Sequence, residues 1–220
     1  MQPLFRIASS CVPIAGRGQA FPVRRIWCVA RNYAEHAREM GGTGREAPFF
    51  FAKPADAVVP GGGAVPYPTR TDNLHHEIEL VVAIGPADHG GVQVFGLAVG
   101  LDLTRRDLQA ALKEKGQPWE LAKAFDHSAP IGPIHPVAGG ALPASAAIWL
   151  QVNGVDRQRS DISNMIWSVP EVLEHLSGYV ALAPGDLVFT GTPAGVGRLQ
   201  RGDRVRGGID GLGELEIQLV

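Results

Sequence analysis

The chain has 220 residues, of which 45% are hydrophobic and 19% are charged, and its formal net charge is -2 at pH 7. This composition is ordinary for a globular protein with a buried core, and the length suits one domain spanning residues 1–220. The weak net charge provides no basic surface for a phosphate backbone, so nucleic-acid binding is not expected.

Two cysteines are too few for a disulfide framework, and the first residues lack the apolar stretch of a secretory signal. Since no segment approaches membrane-spanning length, we expect a cytoplasmic protein without membrane attachment.

The predicted elements begin after an extended lead-in at residues 1–25, where prolines and glycines disfavour a helix. Residues 26–30 form a short apolar run that predicts a buried strand. Residues 32–40 favour a helix, which Gly41 and Gly42 end. Residues 49–52 then predict a second strand.

Two longer strands carry acidic residues in the middle of the chain. Residues 74–84 form an apolar run that contains Glu77 and Glu79, and residues 95–103 predict a strand with Asp102 near its end. Thr104 is expected to begin a helix, with Asp107 as the acidic partner of a capping box.

The C-terminal half predicts mostly strands. One helix is expected at residues 168–176, with a proline tolerated in its first turn. The predicted strands are 148–152, 187–190, 204–209 and 214–220. The sequence therefore predicts an α+β, β-rich domain with a few short helices.

The acidic residues in the middle strands suggest a metal site. Successive strand side chains alternate between faces, so Glu77 and Glu79 point to the same side, where their charges repel. A divalent cation would remove that repulsion, and Asp102 could supply a third oxygen. Three carboxylates suit Mg²⁺ or Mn²⁺. The alternative is a solvent-facing acidic pair on an edge strand.

A second candidate pair lies on the first predicted helix. His36 and Glu39 are three residues apart and can share one helix face. A carboxylate beside an imidazole fixes its tautomer and raises its basicity, as the activation of water requires. A surface ion pair would show the same spacing.

Several other residues could contact an anionic ligand. Lys53, Arg106 and Lys123 could neutralise a carboxylate or an oxyanion, although each could also be a solvated surface charge. Gln109 lies three residues after Arg106 on the same predicted helix. The loop 191–197 lacks the lysine of a phosphate-binding loop, and we expect its backbone and Thr192 to bind a carboxylate instead.

These motifs together resemble the fumarylacetoacetate hydrolase superfamily, in its short acylpyruvate hydrolase branch and most of all in the bacterial fumarylpyruvate hydrolases. The matching stretches, which cover the chain from about residue 25 to its end, are CVARNYAEHAREM, FFFAKP, LHHEIELVVAIG, GLDLTRRDLQ, PWELAKAFDHSAPIGP, VNGVDRQ and GDLVFTGTPAGVG. One departure is the segment 85–93, which looks shorter than in relatives and leaves the shape of one loop open.

The resemblance implies a fold and a set of roles. The fold is the mixed β-sandwich or roll of the C-terminal domain of this family. The resemblance assigns the metal to Glu77, Glu79 and Asp102, and the activation of water to His36 and Glu39. It assigns substrate contacts to Lys53, Arg106, Gln109, Lys123 and Thr192, and we assign Lys123 the further task of stabilising the oxyanion.

The activity implied is the metal-dependent hydrolysis of a 2,4-diketo acid, with fumarylpyruvate as the substrate, in the gentisate route of aromatic degradation. A homodimer is also implied. The same metal site in the superfamily supports oxaloacetate decarboxylation and the isomerisation or tautomerisation of keto acids, which need no attacking water. A non-catalytic protein that binds keto acids and metal is a further alternative.

Overall fold

The computed structural model describes residues 4–35 and 45–220. Strands make up 43% of the structure and helices 16%, which confirms the predicted β-rich class. The strands, in chain order, are β1 (Cys11–Pro13), β2 (Ala20–Pro22), β3 (Arg25–Ala30), β4 (Phe49–Lys53), β5 (Val58–Pro60), β6 (Gly63–Val65), β7 (Leu74–His76), β8 (Ile78–Pro86), β9 (Val92–Leu101), β10 (Thr104–Arg105), β11 (Ala129–Ile131), β12 (His135–Pro136), β13 (Ala147–Val152), β14 (Val155–Asp161), β15 (Asp186–Phe189), β16 (Gly197–Leu199), β17 (Arg204–Ile209) and β18 (Gly213–Leu219).

Three helices in the described residues stand between these strands. They are α1 (Arg106–Glu114), α2 (Glu120–Lys123) and α3 (Val169–Ser177), with short 3₁₀ turns at Ala55–Ala57, Ala138–Gly140 and Ile162–Asn164. None of the helices in residues 4–35 and 45–220 is long and apolar enough to cross a membrane.

Two large sheets form the body of the molecule. The larger runs in the order β4-β3-β15-β8-β9-β11-β5, with β12 also paired to β9, and the other runs β14-β13-β17-β18-β6. Strands β10, β7 and β16 form a small third sheet. The mixture of parallel and antiparallel pairs makes the large sheet a mixed one, as the sequence resemblance implied.

Strand β8 is apolar apart from Glu79 because both of its faces are covered. Leu80 and Val82 belong to the core that the large sheet shares with the second sheet. Val81 and Ala83 belong to a second core on the opposite face. This alternation explains why the sequence shows a continuous apolar run here and not a half-polar strand. Each fully buried Leu or Val contributes on the order of 2 kcal/mol.

The predicted strand 74–84 is broken at Glu77. Strand β7 pairs with β10 and β16 in the small sheet, whereas β8 pairs with β9 and β15 in the large one. Strands β8 and β9 form a two-stranded antiparallel ribbon. Strand β9 ends just before Asp102, whose backbone N–H donates to the Glu77 carbonyl over 2.9 Å. The two acidic residues therefore meet where the ribbon passes from one sheet to the next.

The lead-in is more ordered than the sequence predicted. Strands β1 and β2 pair as an antiparallel hairpin within residues 1–25. Val12 and Phe21 on this hairpin are buried in the second core, against the face of the large sheet that the other sheet leaves uncovered.

One helix start was predicted wrongly and another correctly. Helix α1 begins at Arg106, after Thr104 has paired in β10, and no side chain caps it. Asp107 instead accepts hydrogen bonds from the Thr71 hydroxyl (2.6 Å) and the Asp72 N–H (3.0 Å), which tie α1 to the preceding loop. Helix α3 begins after Ser168, whose capping box with Glu171 is present.

Candidate metal and active site

Three buried carboxylates meet at the kink in the β8–β9 ribbon. Glu77, Glu79 and Asp102 are 5%, 1% and 1% exposed, and each can place a carboxylate oxygen within 4.8 Å of the others. This burial contradicts the alternative of a solvent-facing acidic pair.

Glu79 is the member of the triad that most needs a cation. Its carboxylate accepts a 2.7 Å hydrogen bond from the Gly191 N–H and, among the described residues, makes no salt bridge. Burial, reinforced by the Asp102 and Glu77 charges, raises its pKa well above the ordinary value. Such a group must take a proton or face a cation. Three carboxylate oxygens suit a hard divalent ion, so the residues present fit Mg²⁺ or Mn²⁺.

Gly191 is required by this contact. Its φ of +98° lies in the left-handed region, and a Cβ there would stand 2.7 Å from Asn32 Cβ. Only glycine therefore lets the backbone N–H reach Glu79.

Lys123 places a positive charge against two of the three carboxylates. From α2 its Nζ reaches Glu77 Oε2 at 2.8 Å, Asp102 Oδ2 at 2.6 Å and the Thr104 hydroxyl at 2.7 Å. Burial alone would lower the pKa of Lys123, but the two carboxylates outweigh it and raise the pKa, so the ammonium stays charged.

Arg106 closes another side of the triad. Its guanidinium pairs with Glu77 Oε1 and donates to Gln109 Oε1 over 2.6 Å, so Arg106 and Gln109 lie together on one face of α1. The Arg106 Nε also donates to His75 Nδ1 over 3.3 Å. Burial lowers the pKa of His75 to about 4, which keeps the ring neutral and able to accept. Sequence reasoning did not identify His75 as a support for Arg106.

Lys53 lies behind the triad. Its Nζ stands 2.8 Å from Asp102 Oδ1, donates to the carbonyl of Leu103 over 3.2 Å, and also donates to the carbonyl of Lys123. The side chain is fully buried, and it does not line the cavity over the triad. In this position Lys53 holds Asp102 and the end of α2. Its predicted contact with substrate stays a prediction.

The cavity over the triad brings most of the predicted residues together. Its lining includes the three carboxylates, Lys123, Arg106, Gln109 and Thr192, with Phe51 and Trp119 as apolar walls. The charged and polar residues of this lining come from the β7–β8 junction, the end of β9, helices α1 and α2, and the loop after β15, so only the tertiary structure assembles them.

The predicted water-activating pair, His36 and Glu39, lies outside the described residues. The described chain before it ends at Glu35, and Tyr33, Ala34 and Glu35 line a groove with Pro193 and Ala194. The residue that precedes His36 in the sequence thus lies near the loop that carries Thr192.

Known proteins are similar to this chain in sequence and in fold. The family model described as fumarylacetoacetate (FAA) hydrolase C-terminal matches residues 25–220. The chain belongs to the fumarylacetoacetate hydrolase family.

Individual proteins are also similar to this chain over most of their length. The crystal structure of fumarylpyruvate hydrolase from Pseudomonas aeruginosa in complex with Mn²⁺ and pyruvate is 54% identical, covers 100% of this chain and 99% of that one, and has a TM-score of 0.93. The mitochondrial oxaloacetate tautomerase FAHD1 of Mus musculus is 39% identical, over 90% of this chain and 96% of its own. An uncharacterized protein of Pyrococcus horikoshii is 41% identical over 96% and 95%.

Proposed function

We propose that this chain is a metal-dependent hydrolase that cleaves the C3–C4 bond of a 2,4-diketo acid, with fumarylpyruvate as its substrate. The observation that carries the proposal is the buried carboxylate triad under a cavity lined by Lys123 and Arg106. The 54% identity to a fumarylpyruvate hydrolase crystallised with Mn²⁺ and pyruvate supports it. The whole chain would act as one catalytic domain.

Glu77, Glu79 and Asp102 would hold the divalent cation, Mg²⁺ or Mn²⁺. When bound, such a cation supplies Lewis acidity that polarises a carbonyl oxygen and offsets the charge of an enolate. The burial of the triad favours this role, because electrostatic interactions strengthen where water is excluded.

The cationic and polar lining would bind the pyruvate half of the substrate. Arg106, held by Gln109 and His75, presents a fixed guanidinium suited to a carboxylate. Thr192 offers a hydroxyl from the opposite loop, and Trp119 and Phe51 provide apolar walls. Lys53 would act by holding Asp102 in place.

In the hydrolytic step we assign proton transfer to His36, which Glu39 would orient. His36 would take a proton from water, and the hydroxide would add to the C4 carbonyl. The charged Lys123 ammonium would stabilise the tetrahedral oxyanion. The C3–C4 bond would then break with its electron pair going to the pyruvate half, and His36 would return the proton to C3, which yields pyruvate and fumarate.

Tautomerisation of a keto acid is the second candidate, because the Mus musculus relative is an oxaloacetate tautomerase. That reaction, like the decarboxylation of oxaloacetate, needs an enolate but no attacking water. The pair His36 and Glu39 favours hydrolysis for this chain. A non-catalytic binding role would leave these groups without a task.

A substrate panel tests the proposal. The protein is stripped of metal, reloaded with Mn²⁺ or Mg²⁺, and assayed with fumarylpyruvate, acetylpyruvate and oxaloacetate. We expect fumarylpyruvate to be cleaved only by the reloaded protein. Faster turnover of oxaloacetate would favour the second candidate, and stabilisation by oxalate with Mg²⁺ without any turnover would favour a binding protein. Full activity after stripping would contradict the scheme.

We also propose that the protein assembles as a homodimer, as the resemblance implies. The apolar side chains of Met165 and Trp167 are half-buried and pack against the core between the two large sheets. Sedimentation at several concentrations would show whether two copies associate.

A further inference from the structure

A buried amide, Gln158, lies beside the cavity that we assign to substrate. Strand β14 is otherwise exposed or half-buried, yet Gln158 is 1% exposed. Its side chain makes four hydrogen bonds: Oε1 lies 2.9 Å from His76 Nδ1 and 3.2 Å from the Ile78 N, and Nε2 lies 2.8 Å from both Thr192 Oγ1 and the Pro193 carbonyl oxygen.

The orientation of this amide is set by two backbone groups. The Ile78 N–H can only donate, so the atom facing it must be the acceptor Oε1. The Pro193 carbonyl can only accept, so the atom facing it must be the donor Nε2. A flipped amide would oppose donor to donor and acceptor to acceptor, which is costly in a buried site.

This orientation determines what the Thr192 hydroxyl can do. Its oxygen must accept from Gln158 Nε2, so its own proton remains available to a different acceptor. Within residues 4–35 and 45–220, Gln158 is the hydrogen-bond partner of that hydroxyl, and Thr192 lines the cavity with the carboxylate triad. By the same reasoning, His76 must carry its proton on Nδ1 in order to donate to Oε1.

We propose that Gln158 is a positioning residue that makes the Thr192 hydroxyl a hydrogen-bond donor toward the pyruvate half of the substrate. This inference rests on the proposed function, because it takes a pyruvate-type oxygen as the acceptor. Gln158 touches no substrate itself. Its hydrogen bonds connect the Thr192 loop to Ile78, which lies between Glu77 and Glu79 in the sequence. The position of the Thr192 hydroxyl is therefore fixed relative to the two glutamates.

A double-mutant cycle on Mn²⁺-loaded protein tests this coupling. The variants are Thr192→Val, Gln158→Met and both together, with pyruvate as the probe and calorimetry as the measurement. We expect each single change to weaken pyruvate binding about tenfold, as the loss of a hydrogen bond to a charged group predicts. In the Thr192→Val background, Gln158→Met should add less than twofold. Thr192→Ser, which keeps a hydroxyl, should bind nearly as the parent does.

The matched control is Gln151→Met on the neighbouring strand β13. Gln151 is half-buried and donates to Asp156 over 2.7 Å, away from the cavity. This change should leave pyruvate binding unaltered. The Mn²⁺ affinity, measured separately, should stay within a few-fold of the parent in every variant. A variant that disrupted the whole site would instead lose Mn²⁺ affinity.

The other outcomes separate failure of the inference from failure of the proposed function. If Gln158→Met weakened pyruvate binding equally in both backgrounds, Gln158 would act independently of Thr192. If Thr192→Val left pyruvate binding unaltered, the Thr192 hydroxyl would not be a donor to pyruvate. A parent that binds pyruvate but cleaves no diketo acid would reject the proposed function and leave the coupling intact. A parent that binds no pyruvate would reject both.

A measurement on the parent alone covers the case in which Gln158→Met does not fold. Nitrogen-15 chemical shifts of the His76 ring report which nitrogen is protonated. We expect the proton on Nδ1. A proton on Nε2 would require the opposite amide orientation and would overturn the inference.

Discussion

The ammonium group of Lys123 donates a 2.6 Å hydrogen bond to Asp102 Oδ2, so a proposed oxyanion-stabilising residue is joined directly to a proposed metal ligand. The same ammonium lies 2.8 Å from Glu77 Oε2. With Lys53 and Arg106 also facing the triad, positive side chains compensate much of its charge. Glu79 is the exception, and its burial without a salt bridge is what favours a cation.

Replacing Glu79 should separate metal affinity from stability. Glu79→Gln removes a ligand charge, so we expect Mn²⁺ affinity to fall by about a hundredfold or more. The metal-free protein should become more stable, because a buried carboxylate repelled by Asp102 and Glu77 is gone. Calorimetric Mn²⁺ titration and denaturation in chelator measure the two effects. Glu214→Gln, at an exposed glutamate paired with Arg206, is the control and should leave Mn²⁺ affinity unchanged.

Metal should stabilise the folded protein. At a Mn²⁺ concentration about 100 times the Kd, the free energy of unfolding should rise by roughly 2.7 kcal/mol, since the ion binds the assembled triad and not the unfolded chain. Urea denaturation with Mn²⁺ or with chelator measures this. The stabilisation should vanish in Asp102→Asn. If Mn²⁺ still raised the free energy of unfolding of that variant, the ion would have to bind elsewhere.

Lys123→Met should damage both stability and turnover. It leaves Glu77 and Asp102 without their buried ammonium partner, at a cost of about 3–5 kcal/mol in the metal-free protein. Turnover of fumarylpyruvate should fall on the order of 10²–10³-fold in the metal-loaded protein, as expected for the loss of an oxyanion-stabilising group. Lys113→Met, at an exposed position in the last turn of α1, should change neither measurement.

His36 should affect chemistry and not metal binding. Replacing it with glutamine removes the proposed base, so cleavage of fumarylpyruvate should slow on the order of a hundredfold or more. The Mn²⁺ affinity should stay unchanged, because the three proposed ligands are retained. A loss of Mn²⁺ binding in this variant would instead make His36 part of the metal site.

Asp107 should make the start of α1 sensitive to acid. Desolvation alone would raise its pKa, but hydrogen bonds from Thr71, Asp72 and Leu108 lower it overall. A carboxylate with a lowered folded pKa contributes stability that is present above its unfolded pKa, about 3.9, and is lost as the pH falls through the folded pKa. Asp107→Asn should therefore cost about 0.5 kcal/mol at pH 7, because solvent screens this exposed carboxylate, and less at pH 2.

Denaturation of parent and variant at both pH values measures the difference. Asp88→Asn, at an exposed position, is the control and should leave stability unchanged at either pH. A cost for Asp107→Asn that is equal at pH 7 and pH 2 would contradict the assignment to charge.

Local sequence signals predicted the long elements and helix α3. Apolar runs located β3, β8 and β9 because burial on both sheet faces leaves few polar positions. The helix predicted at residues 168–176 is present as α3, and the structure adds that a capping box of Ser168 and Glu171 begins it. The capping box at Thr104 was wrong because that residue pairs with His75 across the small sheet.

The sequence by itself determined the β-rich class, the acidic character of Glu77, Glu79 and Asp102, and the family to which the motifs point. Only the tertiary structure decided that the ribbon kinks at Glu77, that Lys53 lies behind Asp102, and that Gln158 orients Thr192. Residues 77, 102, 123, 158 and 192 meet through sheet pairing and buried hydrogen bonds between distant segments. Local periodicity carries no information on such contacts, because they depend on which strands become neighbours.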